Sequence, residues 1–120
     1  SGQPAPPRVD PIKMEHLRSV KHDDFFVLRD GAAGLFLAAS KFPKVRETRA
    51  PKVAELRSVA EQLDPKYQFI LKAPDVDPEG NPTLVKFSRK NQVQYIGSEN
   101  AEGKQTKWSL VYQDGKWVEA

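Results

Sequence analysis

The stretch Phe25-Phe26-Val27-Leu28-Arg29-Asp30-Gly31-Ala32-Ala33-Gly34-Leu35-Phe36-Leu37-Ala38-Ala39 decides the fold. Two apolar runs of strand length flank a short linker bounded by glycines. The pattern predicts a β-hairpin, because glycine supplies the positive φ that tight turns require. Pro43 closes the neighbourhood of the second strand, and residues 46–49 read as a further short extended piece.

Working towards the C-terminus, Pro51 suits the first turn of a helix, and Val53, Leu56, Val59 or Ala60, and Leu63 recur at helical spacing. Residues 51–63 are therefore expected to form a helix that Asp64-Pro65 ends. Tyr67, Phe69, Ile70 and Leu71 make a compact apolar cluster that suits a strand or a short second helix equally well. Residues 74–82 form an acidic, turn-rich link. Four short β-rich runs follow at residues 84–89, 93–97, 108–113 and 116–119, and Asp114-Gly115 between the last two is the strongest hairpin signal in the chain.

On the N-terminal side, residues 1–11 hold four prolines and read as a linker, while the spacing of Ile12, Met14, Leu17 and Val20 fits a short helix or an irregular lead-in. The expected class is α+β: two small antiparallel β units joined by a helix and an acidic linker. The expected division is a linker or lead-in at 1–22, a first unit at 23–50, a bridge at 51–82 and a second unit at 83–120.

The 120 residues suit one ordinary domain or two very small ones, and at most ~70% of the unfolded chain's surface is buried at this length. No apolar run approaches the ~20 residues of a membrane span. There is no cysteine, which excludes a disulfide framework, a cysteine zinc site and a thiol nucleophile; His16 and His22 are too few ligands for a metal site. The net charge of +3 is uneven: residues 1–30 are neutral, 31–60 carry +4, 61–80 carry −3 and 81–120 carry +2. Two basic segments thus flank an acidic one, a distribution suited to a polyanion at either end and not in the middle. No nucleophile elbow or phosphate-cradling glycine loop is present, the three tyrosines lack an acidic metal-binding cluster, and Asp75-Val76-Asp77-Pro78-Glu79 lacks the ligand spacing of a cation loop.

The run from Arg29-Asp30-Gly31-Ala32-Ala33-Gly34-Leu35-Phe36 through Phe42-Pro43-Lys44-Val45-Arg46-Glu47-Thr48-Arg49 resembles the C-terminal zinc-ribbon repeats of bacterial type IA DNA topoisomerases, the topoisomerase I family. Arg29, Gly31, Gly34, Phe36, Phe42, Pro43, Lys44, Arg46, Thr48 and Arg49 match the family pattern. Ala39 and Val45 stand where it has two zinc-ligand cysteines. Further likeness at Asp77-Pro78-Glu79-Gly80-Asn81, Phe87-Ser88-Arg89-Lys90 and Asp114-Gly115-Lys116-Trp117-Val118-Glu119 extends the resemblance over residues 23–120. It implies two cysteine-free, zinc-ribbon-like units whose lost metal is offset by packing, supplied by the helix and the cluster around Phe69.

The resemblance also implies a non-catalytic piece of an ATP-independent enzyme, with no cofactor of its own and a parent that uses Mg²⁺. It implies a cytoplasmic, nucleoid-associated monomer that holds single-stranded DNA during relaxation of negative supercoils. Such binding needs cations along the backbone and aromatic faces for the bases. The candidates are Arg29, Phe36, Lys41, Phe42, Lys44, Arg46 and Arg49 in the first unit, and Phe87, Arg89, Lys90, Tyr95, Lys107, Tyr112, Lys116 and Trp117 in the second. Phe26, Phe69 and Trp108 are expected in the core. The runner-up is a protein-interaction module docking to RNA polymerase through residues 75–79 or the basic first unit; a structural spacer would have neither activity.

Overall fold

The computed structural model describes residues 10–120; most of the expected N-terminal linker, residues 1–9, lies outside the described residues. Two four-stranded antiparallel sheets make up the fold, each a simple meander. The first contains β1 (Ile12–Arg18), β2 (Phe25–Gly31), β3 (Gly34–Ala39) and the two-residue β4 (Thr48–Arg49). The second contains β5 (Thr83–Ser88), β6 (Val93–Glu99), β7 (Gln105–Gln113) and β8 (Lys116–Glu119). The expected class of two β units with a helical bridge is what the chain adopts.

Two segments differ from the sequence reading. The segment whose spacing fits a short helix or an irregular lead-in is β1, antiparallel to β2, with Ile12 opposite Leu28 and Met14 opposite Phe26. The first sheet thus begins at Ile12, within residues 1–22. Ile12 and Met14 are buried at strand period, but a register shift between Met14 and Arg18 breaks the alternation, so Leu17 falls out of phase and the pattern mixes two periods.

The helix expected over residues 51–63 is shorter: α1 spans only Val53–Arg57, followed by a 3-10 turn at Ala60–Gln62. Pro51 and Lys52 are extended, because Lys52 pairs with Leu84 and the Val85 amide donates to the Pro51 carbonyl at 2.8 Å. Beyond α1, the Ser58 hydroxyl donates to the Glu55 carbonyl at 2.6 Å, the local competition by which serine weakens a helix. Val53, Leu56 and Val59 are all buried, so the apolar positions of the expected helix face the core although the α-helix ends at Arg57. The cluster around Phe69 lies in a 3-10 segment, Pro65–Lys72, entered through Asp64, whose carboxylate accepts from the Lys66 amide at 2.9 Å.

One hydrophobic core serves both sheets. Leu28 and Leu37 from the first, Val85, Ile96 and Leu110 from the second, and Val53, Leu56 and Ile70 from the bridge belong to the same buried cluster. Phe26 is in it; Phe69 and Trp108 are half-buried and pack against it. At the Asp114-Gly115 hairpin both residues have positive φ, 50° and 83°, the combination a two-residue turn demands.

Candidate nucleic-acid interface

The β2–β3 hairpin places Arg29 directly opposite Phe36 and Gly31 opposite Gly34. A Cβ on Gly31 would lie 2.9 Å from Phe36 Cε1, so the ring covers the glycine and is held against the strand. Arg29 is half-buried, and its Nε is enclosed without a hydrogen-bond partner. The Arg-x-Gly-x-x-Gly-x-Phe spacing therefore makes Arg29 and Phe36 cross-strand partners on one face of a hairpin.

After β3, Lys41, Phe42, Lys44 and Arg46 are exposed on the loop leading to β4, Phe42 by 37%. The loop is tied down by Asp24, which is buried at the start of β2. Its carboxylate accepts from the Ser40 hydroxyl, the Lys41 amide at 3.0 Å and the Phe25 amide at 2.8 Å. The Ser40 bond, with help from the two amides, holds the Asp24 carboxyl below the usual carboxylate range against the opposing effect of burial. Arg49 is half-buried and engaged, bidentate to Glu55 at 2.9 and 2.7 Å and 5.1 Å from the Phe26 ring centroid.

Between the two units runs a groove walled by Phe36 and the Gly31–Leu35 turn on one side and by Val85, Lys86 and Phe87 on the other, with Gln94 at its base. The Gln94 side-chain amide bridges the units: its Oε1 accepts from the Leu35 amide at 3.2 Å and its Nε2 donates to the Leu35 carbonyl at 3.4 Å. Lys86 lines this groove and pairs with Glu99 at 3.0 Å.

On the second unit another groove is lined by Phe87, Arg89, Lys90, Tyr95, Lys107 and Trp108 among others. Arg89, Lys90, Lys107 and Lys116 are exposed. Tyr95 is half-buried, its hydroxyl accepting from Gln105 Nε2 at 3.3 Å. Tyr112 and Trp117 stand apart from this groove. They pack with Phe69, at centroid distances of 4.9 Å (Tyr112–Phe69), 5.7 Å (Trp117–Phe69) and 5.1 Å (Tyr112–Trp117). Trp117 Nε1 donates to the Phe69 carbonyl at 3.0 Å. The structure thus brings Arg29 and Phe36 together, and Phe87 with Arg89, Lys90, Tyr95 and Lys107. It keeps Tyr112 and Trp117 in packing roles and holds Arg49, which also lines the inter-unit groove, against Glu55. Lys86 and Gln94 are absent from the sequence-based candidates; nothing local marks Gln94, whose partner is 59 residues away.

At the zinc-ligand places, Ala39 is buried and Val45 half-buried. Neither carries a donor atom, so these residues do not fit a metal. Two buried carboxylates act as hydrogen-bond hubs, Asp24 just before β2 and Asp77 in the link before β5. Asp24 serves the first unit, and Asp77 the second: Asp77 accepts from the amides of Glu79 and Asn81 (2.8 and 2.9 Å), Asn81 Nδ2 (3.0 Å) and the Ser98 hydroxyl (2.7 Å). Burial raises the Asp77 pKa, but the hydrogen bonds from Ser98 and Asn81 outweigh it and lower it to about 2. A carboxylate depressed in the fold stabilises it above the unfolded value, ~3.9, and loses that contribution as pH falls through about 2. Asp77→Asn should therefore be less stable than the parent at neutral pH, with a flatter stability profile between about pH 4 and 2 by urea denaturation. Equal profiles would remove Asp77 as the hub.

Two four-stranded ribbon-like units on a shared core, with cations and aromatic rings along their grooves and no cysteine, define a cysteine-free ribbon pair. The family model for the topoisomerase I zinc-ribbon-like domain matches residues 13–49 and 80–120, and the chain belongs to that family. It is 55% identical over 119 residues to DNA topoisomerase 1 of Escherichia coli (strain K12), covering 99% of this chain and 14% of that protein. Against DNA topoisomerase 1 of Pseudomonas aeruginosa it is 52% identical over 117 residues, covering 98% of this chain and 13% of that protein. The Vibrio cholerae protein of the same name is 52% identical over 118 residues, with coverage of 98% and 13%. The chain thus spans about a seventh of the length of these relatives. Among the described residues no helix is long and apolar enough to cross a membrane.

Proposed function

We propose that this chain binds single-stranded DNA as the C-terminal, non-catalytic domain of a type IA DNA topoisomerase, holding a strand while the Mg²⁺-dependent core of the parent enzyme cuts and reseals during relaxation of negative supercoils. The observation that carries the reading is the state of the cations. Of the nine basic candidates, only Arg49 is engaged with a carboxylate; Arg29, Lys41, Lys44, Arg46, Arg89, Lys90, Lys107 and Lys116 have no ion-pair partner among the described residues. Free cations beside half-exposed rings are what unpaired bases on a phosphate backbone require. The acidic link offers less to a protein partner, since Asp77 is buried and Asp75 is paired with Arg57 at 2.5 Å.

Titration of the chain with fluorescent oligo-dT should show binding tighter than to a duplex of the same length, with log K falling as log salt rises by ~0.7 for each phosphate contacted. Replacing Arg89 and Lys90 together by alanine should weaken binding and reduce that salt slope by up to about two contacts. Absence of oligo-dT binding at low salt would overturn the proposal.

A further inference from the structure

We infer that the cleft between the 3-10 segment Pro65–Lys72 and the second sheet is a polyproline groove, and that its occupant is the chain's own run Pro4-Ala5-Pro6-Pro7, which lies outside the described residues. The cleft has a volume of about 380 Å³ and is lined by Tyr67, Phe69, Val93, Gln94, Val111 and Tyr112. That size falls within the ~300–1,000 Å³ of ligand clefts. Its lining is three aromatic rings and two valines, with one side-chain amide among them. The rings are held in place by the fold: Tyr112 packs on Phe69 at 4.9 Å between centroids, and the Tyr67 hydroxyl donates to Asp30. At the rim Val93 is 51% exposed, apolar surface that gains from a cover. Aromatic-lined grooves of this kind read proline-rich segments, because a polyproline II helix is preformed and loses little entropy when its rings settle on aromatic faces.

The point of attachment delivers this run to the cleft. β1 lies antiparallel to β2 with Ile12 opposite Leu28, and continuing that register brings Asp10 level with Asp30. Asp30 is the residue that holds the Tyr67 hydroxyl and, at 2.9 Å, the Lys66 ammonium. At about 3.1 Å per residue, Pro7 and Pro4 lie about 9 and about 19 Å along the chain from Asp10, within reach of rings that begin at Tyr67. The tether also supplies an effective concentration on the order of mM, so a groove of modest affinity is filled. Docking covers Tyr112 and fixes the direction in which the chain enters β1. It does not depend on the single-strand reading.

The test uses the full chain, which has no cysteine, so Gln3→Cys carries a nitroxide at a single position. In amide NMR spectra the label should broaden Tyr67, Phe69, Val93 and Tyr112 at the cleft, while Lys41 and Gly103, at the far ends of the two sheets, keep their intensity. Replacing Pro4, Pro6 and Pro7 together by glycine keeps the tether and removes the preformed helix, and should lower the broadening about twofold or more. Val93→Lys, which puts a charge at the exposed rim, should do the same without touching the core. Equal broadening in the parent and the triple glycine variant would mean that tethering alone brings the label near, and overturns the docking; so does an unbroadened cleft. Broadening of an isotope-labelled chain by a separate spin-labelled chain would mean that the groove takes the segment of a second copy, and overturns the intramolecular occupant.

Discussion

Leu56→Ala is expected to destabilise the chain by about 2–5 kcal/mol, the range for deleting a fully buried leucine side chain, and to do so for both β units together. Leu56 is completely buried on α1, which packs against β5 and against the 3-10 segment Pro65–Lys72. It belongs to the cluster that joins Leu37 of the first sheet to Ile96 of the second. A ribbon that binds zinc derives much of its folding energy from the metal. Neither unit has a cysteine, and Ala39 and Val45 carry no donor atom, so each depends on apolar surface supplied by the bridge and by the other unit. Thermal unfolding followed by circular dichroism and by Trp108 and Trp117 fluorescence should therefore give one transition for parent and variant, shifted down by roughly 10 °C. Two separated transitions, with only one moved by the substitution, would show that the units fold independently and that packing has not replaced the metal.

The second large effect is expected at Gly34. Its φ is +89°, where any L side chain is strained, and a Cβ there would sit 2.2 Å from Gln94 Oε1. Gly34→Ala should cost about 2–4 kcal/mol: ~1–3 for the backbone conformation and more for the displaced Gln94 amide with its two bonds to Leu35. Gly80 provides the control. It has φ +85°, and a methyl group added there would meet nothing within 4 Å, so Gly80→Ala should cost only the conformational share. The difference between the two variants measures the inter-unit contact. In a Gly34→Ala, Gln94→Ala double variant the clash is gone, and the losses should be strongly non-additive. Equal destabilisation by Gly34→Ala and Gly80→Ala would mean that the Gln94 bridge contributes nothing.

How far the sequence could be read depended on how local each feature is. The Gly31–Gly34 hairpin, the Asp114-Gly115 turn and the four β runs after residue 83 are all present, because alternation and turn chemistry act over a few residues. The segment 12–18 was not legible: its strand identity comes from pairing with β2, and its bulge erased the period that would have announced it. Residues 58–63 carried the right apolar positions in the wrong helix type, since period three and period 3.6 diverge by only about one residue over two turns. For the candidate interface, residue types were legible and their roles were not. Arg49 and Arg29 look alike in sequence, yet Glu55 lies within reach of the first and no carboxylate pairs with the second among the described residues.

The sequence by itself determined the two β units, the turns between their strands, the absence of cysteine ligands and the interleaving of cations with aromatic residues, all set by spacings within a hairpin or by composition. Only the tertiary structure decided that the units share one core, that Gln94 locks onto Leu35, and that Phe36 and Phe87 face a common groove while Tyr112 and Trp117 pack around Phe69. Those contacts join residues tens of positions apart. They are chosen by which apolar faces must be buried together once no metal holds each unit alone, a condition on the whole chain that no local pattern records.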